Sequence, residues 1–464
     1  MSVLVHRSVR RTLFTMAFPM LAGTFAMNAY NLTDTYFVAQ LGTLPLAAMG
    51  FTLPAVFLLT FLAAGVGTGV TTLVSHAIGR GDHDGAAKLV SRGLTLVIIV
   101  TTLLSVTGYL TMGPLFRLLG AKGETRVLVM QYMGVWFLGS ITMSIPMLGN
   151  GILISSGDSA AASGCMIFGT LLNVPLDWMM IFGHGGFPPM GMRGAALATI
   201  ISQAASTALL FYLLGRRRLL LFRRWPIREY LDSFARIARF AVPSILSMML
   251  FPISAAVITF ILSRLGDHAV AAAGAAGRIE SFAFIVPMAL GMSLTPFVSQ
   301  NFGAGRTDRI REALGLATRF AVVYGVAIAA AFFIAAPGLA AIFTDDPKVH
   351  EVLVAYIRII SFGYGMMEVH RYCGFFMTGL HRPVNTTLLN GLRVIVFLIP
   401  LSALGAHFGG YRGVFFGRLA TDLIVGAVAL VWVSRVVRSL PPPAATPPPS
   451  APDPVIVPGD FSAE

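Results

Sequence analysis

Two aspartates lie inside otherwise apolar stretches, and they are the residues of this sequence best suited to chemistry. Asp34 follows a long apolar run in "NLTDTYFVAQLG" (residues 31–42), and Asp177 lies in "LLNVPLDWMMIFG" (residues 171–183). An ionisable side chain at the centre of a membrane helix costs roughly 2.5–3.5 kcal/mol and normally faces a polar interior. The two acids therefore predict a polar chamber that a cation can enter.

Four other side chains with oxygen atoms accompany the acids. Asn173 lies four residues before Asp177, on the same helix face, and Asn31 lies three residues before Asp34. Thr199 and Gln203 follow in a later apolar run, one turn apart. At 1.5 Å per residue from the predicted outer helix ends, the two acids lie ~6 and ~9 Å deep and Thr199 lies ~10 Å deep. This common depth predicts one layer for ion coupling and substrate binding; the alternative is that the acids reach outward to the membrane surface.

Paired carboxylates in such a chamber suit ion-coupled transport. Two close acids can share one proton near neutral pH and titrate as a coupled pair. A cationic substrate that competes for the same negative charge would displace that proton, and its binding would bias an equilibrium between two conformations. The same oxygen atoms also suit Na⁺, and the sequence leaves both ions open. Neither an organic cofactor nor a resident metal is predicted.

Composition places these residues in a membrane protein. Of 464 residues, 56% are hydrophobic and only 11% are charged, and the mean hydropathy is +0.78; soluble proteins carry about 25% charged residues. Cys165 and Cys373 both lie in apolar runs, which argues against a disulfide framework. Stretches of about 20 apolar residues can span the hydrocarbon core as helices. Twelve are predicted, at 12–38, 46–76, 89–113, 127–153, 160–183, 192–215, 234–263, 270–299, 313–336, 350–377, 384–406 and 411–437.

The distribution of basic residues predicts the orientation. The net charge is +13, and most arginines and lysines lie in alternate loops, above all in "GRRRLLLFRRWPIREY" (residues 215–230). This bias puts both termini in the cytoplasm and the chain in the plasma (inner) membrane. The same segment is then a linker at the anionic inner leaflet, and nucleic acid is not an expected partner. The proline-rich segment 439–464 is predicted to be disordered.

The sequence consists of two related halves. A shift of 224 positions superposes "VSHAIGRGDHD" (74–84) on "VSQNFGAGRTD" (298–308) without a gap, and the shift falls to 219 near the end of each half. The predicted units are an N-terminal six-helix bundle (1–214), the basic linker (215–239) and a C-terminal six-helix bundle (240–438). Because six is even, the halves are parallel repeats about a pseudo-twofold axis along the membrane normal, which is typical of transporters.

The repeat also separates what is shared from what is particular to one half. Asp34 maps to Ile258 at the shift of 224, and Asp177 maps to Ile399 at a local shift of 222. Both acids therefore belong to the N-terminal half alone. A feature present in only one of two duplicated bundles is a better candidate for function than one present in both.

The two glycine-rich segments after the second and eighth spans, "IGRGDHDGA" and "FGAGRTDRI", together with "DTYFVAQLG", resemble the multidrug and toxic compound extrusion (MATE) family over residues 10–438. The resemblance implies multidrug efflux by alternating access: organic, often cationic compounds leave the cell in exchange for protons or sodium ions. It implies small organic substrates and contact with membrane lipid. A monomer is expected.

Within that family the chain is most similar to the DinF-type branch. Asp34 matches the branch's acid on helix 1, Asn173 and Asp177 match its pair on helix 5, and Thr199 matches its threonine on helix 6. Pro19 matches a helix-1 proline at which bending is proposed, and is therefore a candidate hinge. The NorM-type branch instead has an acid on helix 7, which is missing from residues 234–263.

Glu368 in "GMMEVHRYCGFF" is a candidate secondary acid, because it lies near the helix-10 acid of NorM-type members. The preferred interpretation is a buried ion pair with Arg371 or Arg393 that stabilises the C-terminal bundle. Arg278 with Glu280, and Arg418 with Asp422, are also predicted to be structural pairs.

Two other functions fit parts of the sequence. A lipid-linked oligosaccharide flippase of the same superfamily would share the fold but would need cations for phosphate, for which Arg371 and Arg393 are candidates. An integral-membrane enzyme would need a catalytic constellation, and neither H-E-x-x-H nor G-x-S-x-G occurs. A transporter without catalytic residues is therefore the prediction.

Overall fold

The computed structural model describes residues 3–221 and 223–443, with the backbone alone for Val3. This part of the chain is helical and contains no strand. Short 3₁₀ and π-helical segments, Ser361–Gly363 and Leu392–Leu398, interrupt the tenth and eleventh spans. The α-helices are α1 (Val3–His6), α2 (Val9–Gln40), α3 (Thr43–Gly79), α4 (His83–Leu118), α5 (Gly123–Ser155), α6 (Ser159–Phe182), α7 (Met192–Arg216), α8 (Ile227–Ser263), α9 (Asp267–Ala283), α10 (Ile285–Gly303), α11 (Thr307–Phe343), α12 (Pro347–Ile360), α13 (Tyr364–Gly379), α14 (Pro383–Gly391) and α15 (Ile399–Arg438).

The helices make twelve membrane spans in two bundles, as predicted. By length and composition, nine helical segments of the described chain can cross a membrane, and ten if α9 and α10 form one bent span. That count leaves out α2, whose second half is rich in polar residues. It also takes Pro383–Arg438 as one segment, although the backbone leaves helical geometry at Gly409 and Gly410. Spans one to six form the N-terminal bundle, α2–α7, and spans seven to twelve form the C-terminal bundle, α8–α15.

The eighth span is broken, whereas the sequence predicted one uninterrupted span over 270–299. The axes of α9 and α10 differ by 58°. Pro287 lies in the first turn of α10 and has no N–H, so it cannot bond the carbonyl of Ala283 four residues earlier. The hydroxyl of Tyr324 donates to that carbonyl instead, at 2.7 Å. The break therefore has a local cause and a compensating hydrogen bond.

Helix α2 is continuous through Pro19 and packs along α6. Hydroxyl groups of α6 hold its backbone: Ser163 donates to the carbonyl of Pro19, and Thr170 donates to that of Ala26 at 3.2 Å. Gly23 leaves the space for this close approach, because a Cβ there would lie 2.9 Å from Ser163 Oγ. Two neighbouring spans are thus joined on the termini side of Asp34.

The two bundles meet at the face that carries both ends of the described chain, which we call the termini face. Leu4 and Pro441 both lie there, because Arg309 donates to the carbonyl of Leu4 at 2.9 Å and Thr307 donates to that of Pro441 at 2.9 Å. Ser299 of the C-terminal bundle also donates to the Thr72 carbonyl of the N-terminal bundle, at 2.7 Å. These contacts close the termini face.

The contact between the bundles at this face has the predicted twofold character. A Cβ on Gly79 would clash with the carbonyl oxygen of Gln300, and a Cβ on Gly303 would clash with that of His76. The shift of 224 converts Gly79 into Gly303 and His76 into Gln300. The same pair of positions therefore packs twice, as an isologous contact requires.

His381 adds an uncharged ring to this closed face. It lies between α13 and α14, with its ring centroid 4.4 Å from that of His76 in the other bundle. Burial, and then the neighbouring His76, lower the pKa of His381 to about 4. The imidazole is therefore neutral at pH 7 and places no charge in the contact.

The basic linker is attached to the N-terminal bundle. The predicted linker 215–239 contains the start of α8, which begins at Ile227. Arg92 of α4 forms an ion pair with Glu229, donates to Ser233 Oγ at 3.1 Å, and lies over the Trp225 ring at 4.9 Å. Of the segment predicted to be disordered, residues 444–464 lie outside the described part of the chain.

Candidate ion-coupling site

The structure brings the two predicted acids together in the interior of the N-terminal bundle. Asp34 of α2 is 8% exposed and Asp177 of α6 is fully buried. They lie on α2 and α6, which pack against each other. Asn173 and Thr199 are buried beside them, on α6 and α7. Four predicted residues thus form one buried polar cluster among three helices, which we call the chamber, rather than facing the membrane surface.

The chamber holds polar atoms that the protein itself leaves without partners. Asp34 Oδ1, both oxygens of Asp177 and both amide atoms of Asn173 are buried and make no hydrogen bond with any described residue. Asn173 approaches Asp177 without hydrogen-bond geometry. No ion pair within the described chain includes either acid. A buried carboxylate without a partner in the protein is costly, so this arrangement suits a proton or a bound cation.

Two tyrosines that the sequence analysis did not select complete the chamber. The hydroxyl of Tyr30 donates to Thr199 Oγ1 at 3.0 Å and so joins α2 to α7. Tyr132 of α5 is buried, and both tyrosines lie near the two acids. Tyr30 could have been found, because it lies four residues before Asp34 on the same helix face. Tyr132 is harder to select from the sequence, because a shift of 224 gives a tyrosine, Tyr356, at the same position of the second half.

Two of the predicted residues are less buried. Asn31 is exposed, so it does not share the burial of Asp34, and its place in the ion-coupling layer stays a prediction. Gln203 is half-buried, one turn from Thr199. Pro19 lies fifteen residues from Asp34, in a helix that is continuous here, so its role as a hinge stays a prediction.

The C-terminal bundle contains a charge network at the corresponding level. Glu280 Oε1 accepts hydrogen bonds from Arg418 at 2.7 Å, from Tyr356 at 3.0 Å and from Tyr364 at 3.2 Å. Arg418 also bonds the hydroxyl of Tyr356. The predicted pair of Glu280 with Arg278 is wrong: Arg278 is exposed, and Arg418 is the partner.

A second acid of this bundle is also paired. Arg393 donates two hydrogen bonds to Asp422 Oδ1, at 2.7 and 3.1 Å. Arg418 approaches the other Asp422 oxygen at 3.9 Å, which is a loose form of the predicted pair. Arg393 comes from the π-helical segment, whose widened turn is a common feature of functional or strained positions.

Glu368 forms the predicted ion pair with Arg371, at 2.9 Å between Oε1 and Nη1, although the angles do not make it a hydrogen bond. The Glu368 side chain is 1% exposed, whereas that of Arg371 is 26% exposed. Arg371 lies 3.8 Å from the sulfur of Met288 and over the ring of Phe284. Glu368 thus has a cationic partner, which Asp34 and Asp177 lack.

Two six-helix bundles with an uncompensated acidic chamber in one of them define a membrane transporter. The MatE family model matches residues 19–179 and 243–404, one match in each bundle. A FAD transporter from Shewanella oneidensis is 35% identical over 93% of this chain and 96% of its own length. A probable multidrug resistance protein NorM from Thermotoga maritima is 23% identical over 82% and 81%. The crystal structure of the Vibrio cholerae MATE transporter VcmN in its bent form superposes with a TM-score of 0.89, 28% identity and coverage of 93% and 97%.

The chain belongs to the MATE family. It is therefore a multi-pass membrane transporter that functions in efflux, and not an enzyme. Membership of the DinF-type branch stays a prediction from Asp34, Asn173, Asp177 and Thr199.

Proposed function

We propose that this protein exports small organic compounds in exchange for H⁺ or Na⁺, and that Asp34 and Asp177 form its ion-coupling site. The proposal is carried by one observation: two buried carboxylates on packed helices lie in the same chamber without any cationic partner in the described chain. Such a pair binds a proton or a small cation strongly, and gives it up when another positive charge enters.

The position of Asp34 can couple ion binding to the change between the outward-open and inward-open conformations. Asp34 is on α2, and α2 packs both on α6 of its own bundle and on α10 of the other. A change of charge at Asp34 therefore acts on a helix that both bundles contact. Pro19 cannot donate to the carbonyl of Thr15, which weakens α2 locally and favours bending there. Substrate or ion then shifts the equilibrium by its difference in affinity for the two states.

The orientation is part of the proposal. The loops of the termini face carry most of the arginines and lysines, which puts this face in the cytoplasm. The described conformation, closed at the termini face, is then closed toward the cytoplasm. In this state the coupling site would load its ion from outside, as export by antiport requires.

Two substrate classes are supported. The acidic chamber suits organic cations, in agreement with the multidrug resistance protein among the relatives. A flavin dinucleotide is the second candidate, because the relative with 35% identity is named a FAD transporter. Arg371 pairs with Glu368, but its guanidinium is partly exposed and keeps donors for a pyrophosphate. We do not favour the oligosaccharide flippase, because its other candidate cation, Arg393, is engaged by Asp422.

The test is transport in proteoliposomes under separately imposed proton and sodium gradients, with a fluorescent organic cation and with FAD. One gradient should drive wild-type transport of at least one substrate. Asp34→Asn should fold normally and lose at least about tenfold of the gradient-driven rate, because the amide keeps the volume but not the titratable charge. Asp84→Asn, at an exposed position of α4, is the matched control. Full gradient-driven transport by Asp34→Asn would overturn the proposal.

A further inference from the structure

A groove of about 300 Å³ opens on the side of the protein between α2 of the N-terminal bundle and α10 and α11 of the C-terminal bundle. Its walls include Phe14 and Phe18 of α2, whose rings stack at 6.0 Å, and Phe320 of α11. Ala17 and Ala317 line it between these rings, and such small side chains leave space. Phe14 and Phe18 are more than 60% exposed, so this groove faces outward and not into either core.

One end of the groove is basic and the rest is apolar. Arg10 is the one charged residue among those that line it, and it lies in the first turn of α2 at the termini face. Arg7 and Arg11 are exposed at the same end. None of the three takes part in an ion pair with the described residues. A basic cluster without acidic partners at the edge of a membrane attracts anionic headgroups.

The dimensions match one leaflet. From Arg10 to Leu21, the two ends of the groove along α2, the helix rises over eleven residues, or ~16 Å. That is about half of the ~30 Å hydrocarbon core. An acyl chain in the groove would therefore reach the bilayer midplane when its headgroup lies at Arg10.

We propose that an anionic phospholipid binds in this groove, with its phosphate at Arg10 and one acyl chain between α2 and α11, and that it stabilises the conformation closed at the termini face. The second part follows from the origin of the walls. Because they belong to different bundles, separating the bundles at the termini face would take the groove apart. A ligand that binds one conformation better shifts the equilibrium toward it by that difference in affinity.

Lipid binding is measured first, by thermal unfolding of the purified full-length protein in detergent with added phosphatidylglycerol or phosphatidylcholine. Phosphatidylglycerol should raise the melting temperature more than phosphatidylcholine does. Arg10→Gln should weaken the apparent affinity for phosphatidylglycerol about fivefold, the effect of one basic residue at an anionic surface. Arg228→Gln, at an exposed arginine of α8 that neither lines the groove nor belongs to this basic cluster, is the matched control. Ala17→Leu should weaken binding of both lipids, because it fills the groove.

The conformational part is measured by spin-label distances across the termini face, between Arg80 and Arg306 positions changed to cysteine. Phosphatidylglycerol should increase the population with the short distance, and Arg10→Gln should reduce this increase. Equal responses to the two lipids, or unchanged binding in both Arg10→Gln and Ala17→Leu, would overturn the site. Binding without any change in the distance distribution would overturn the conformational part. Neither measurement requires transport. A negative result would therefore overturn the lipid proposal without affecting the proposed ion-coupling site.

Discussion

The two bundles solve the same problem, a polar layer inside a membrane protein, in opposite ways. Tyr132 and Tyr356 occupy equivalent positions in the repeat. Tyr132 lies near two acids that have no cationic partner, whereas Tyr356 lies between Glu280 and Arg418, which neutralise each other. The C-terminal bundle thus supplies a cation for its own acid, whereas the acids of the N-terminal bundle can take up an ion.

The difference can be traced to single positions. At the shift of 219 that holds near the end of each half, Thr199 corresponds to Arg418 and Gln203 to Asp422. One duplicated helix therefore supplies a hydroxyl and an amide in the first bundle, and an arginine and an aspartate in the second. The arginine of the C-terminal bundle neutralises its acids permanently, so these acids need no bound ion. We therefore expect substitutions in the C-terminal network to affect stability, and those in the N-terminal chamber to affect transport.

The largest effect on stability is expected for Arg418→Gln. It leaves Glu280 without its cation and removes one of the charges near the fully buried Asp422, and breaking a buried pair costs ~3–5 kcal/mol. The melting temperature of the purified protein should fall and the yield should drop. Arg412→Gln, which removes an exposed pair on the same span, should change little.

The double variant Glu280→Gln/Arg418→Gln separates charge from packing. If the network stabilises through neutralisation, the double variant should be more stable than Arg418→Gln alone. Unchanged stability of Arg418→Gln, together with lost transport, would make the second bundle functional in the same sense as the first and would break the comparison.

A smaller loss of stability is expected for Glu368→Gln. The partner Arg371 is partly exposed and can return to water, so the loss should be ~1–3 kcal/mol, that of an unsatisfied buried group. Melting temperature should respond more than transport per folded molecule. Glu351→Gln, at an exposed acid, is the control. Normal stability with abolished turnover would identify Glu368 as a second coupling acid.

Substitution of a chamber acid should raise the stability of the protein instead of lowering it. Asp177→Asn removes a buried carboxylate without a hydrogen-bond partner, so stability should rise by ~1–2 kcal/mol while coupled transport is lost. Asp422→Asn, the matched change at a paired acid, should lower stability. Thermal unfolding of both variants measures these two changes in stability. A fall for Asp177→Asn as large as that for Asp422→Asn would mean that Asp177 has a structural partner.

The sequence was sufficient for the fold and for the buried acids, and insufficient for their surroundings. Twelve apolar runs, the repeat and the common depth of Asp34 and Asp177 follow from local composition and helix rise. Partners on other helices do not, which is why Glu280 was paired with Arg278 instead of Arg418. The 58° break between α9 and α10 could not be predicted either, because the residues around Pro287 are as apolar as those of an uninterrupted span.

The role of the tyrosines could not be predicted for a different reason. A hydropathy pattern treats the tyrosine ring as apolar, and a residue present in both halves of a repeat is expected to be architectural. Tyr132 and Tyr356 show that a shared residue can have different partners in the two bundles: two unpaired acids in one, and an ion pair in the other. Duplication preserves the backbone position, while the chemistry depends on what the neighbouring helices present.

The smallest expected effect tests this view of the tyrosines. Tyr30→Phe removes one hydrogen bond between uncharged groups, to Thr199, and should cost ~0.5–1.5 kcal/mol. Tyr356→Phe should cost more, because its hydroxyl bonds both Glu280 and Arg418, and hydrogen bonds to charged groups contribute ~1.5–3 kcal/mol. Tyr212→Phe, at an exposed position of α7, is the control for both.

The ion dependence of transport should respond more to Tyr30→Phe than to Tyr356→Phe, although Tyr356→Phe costs more stability. Tyr30 holds α2 against α7 beside the acids, so its loss should shift the pH or sodium dependence of transport, whereas Tyr356→Phe should leave that dependence unchanged in the molecules that fold. Initial rates across a series of pH values and sodium concentrations, normalised to folded protein, provide the measurement. If Tyr356→Phe shifted the ion dependence and Tyr30→Phe did not, the mobile charge would belong to the C-terminal bundle, and the assignment of the coupling site would have to be reversed.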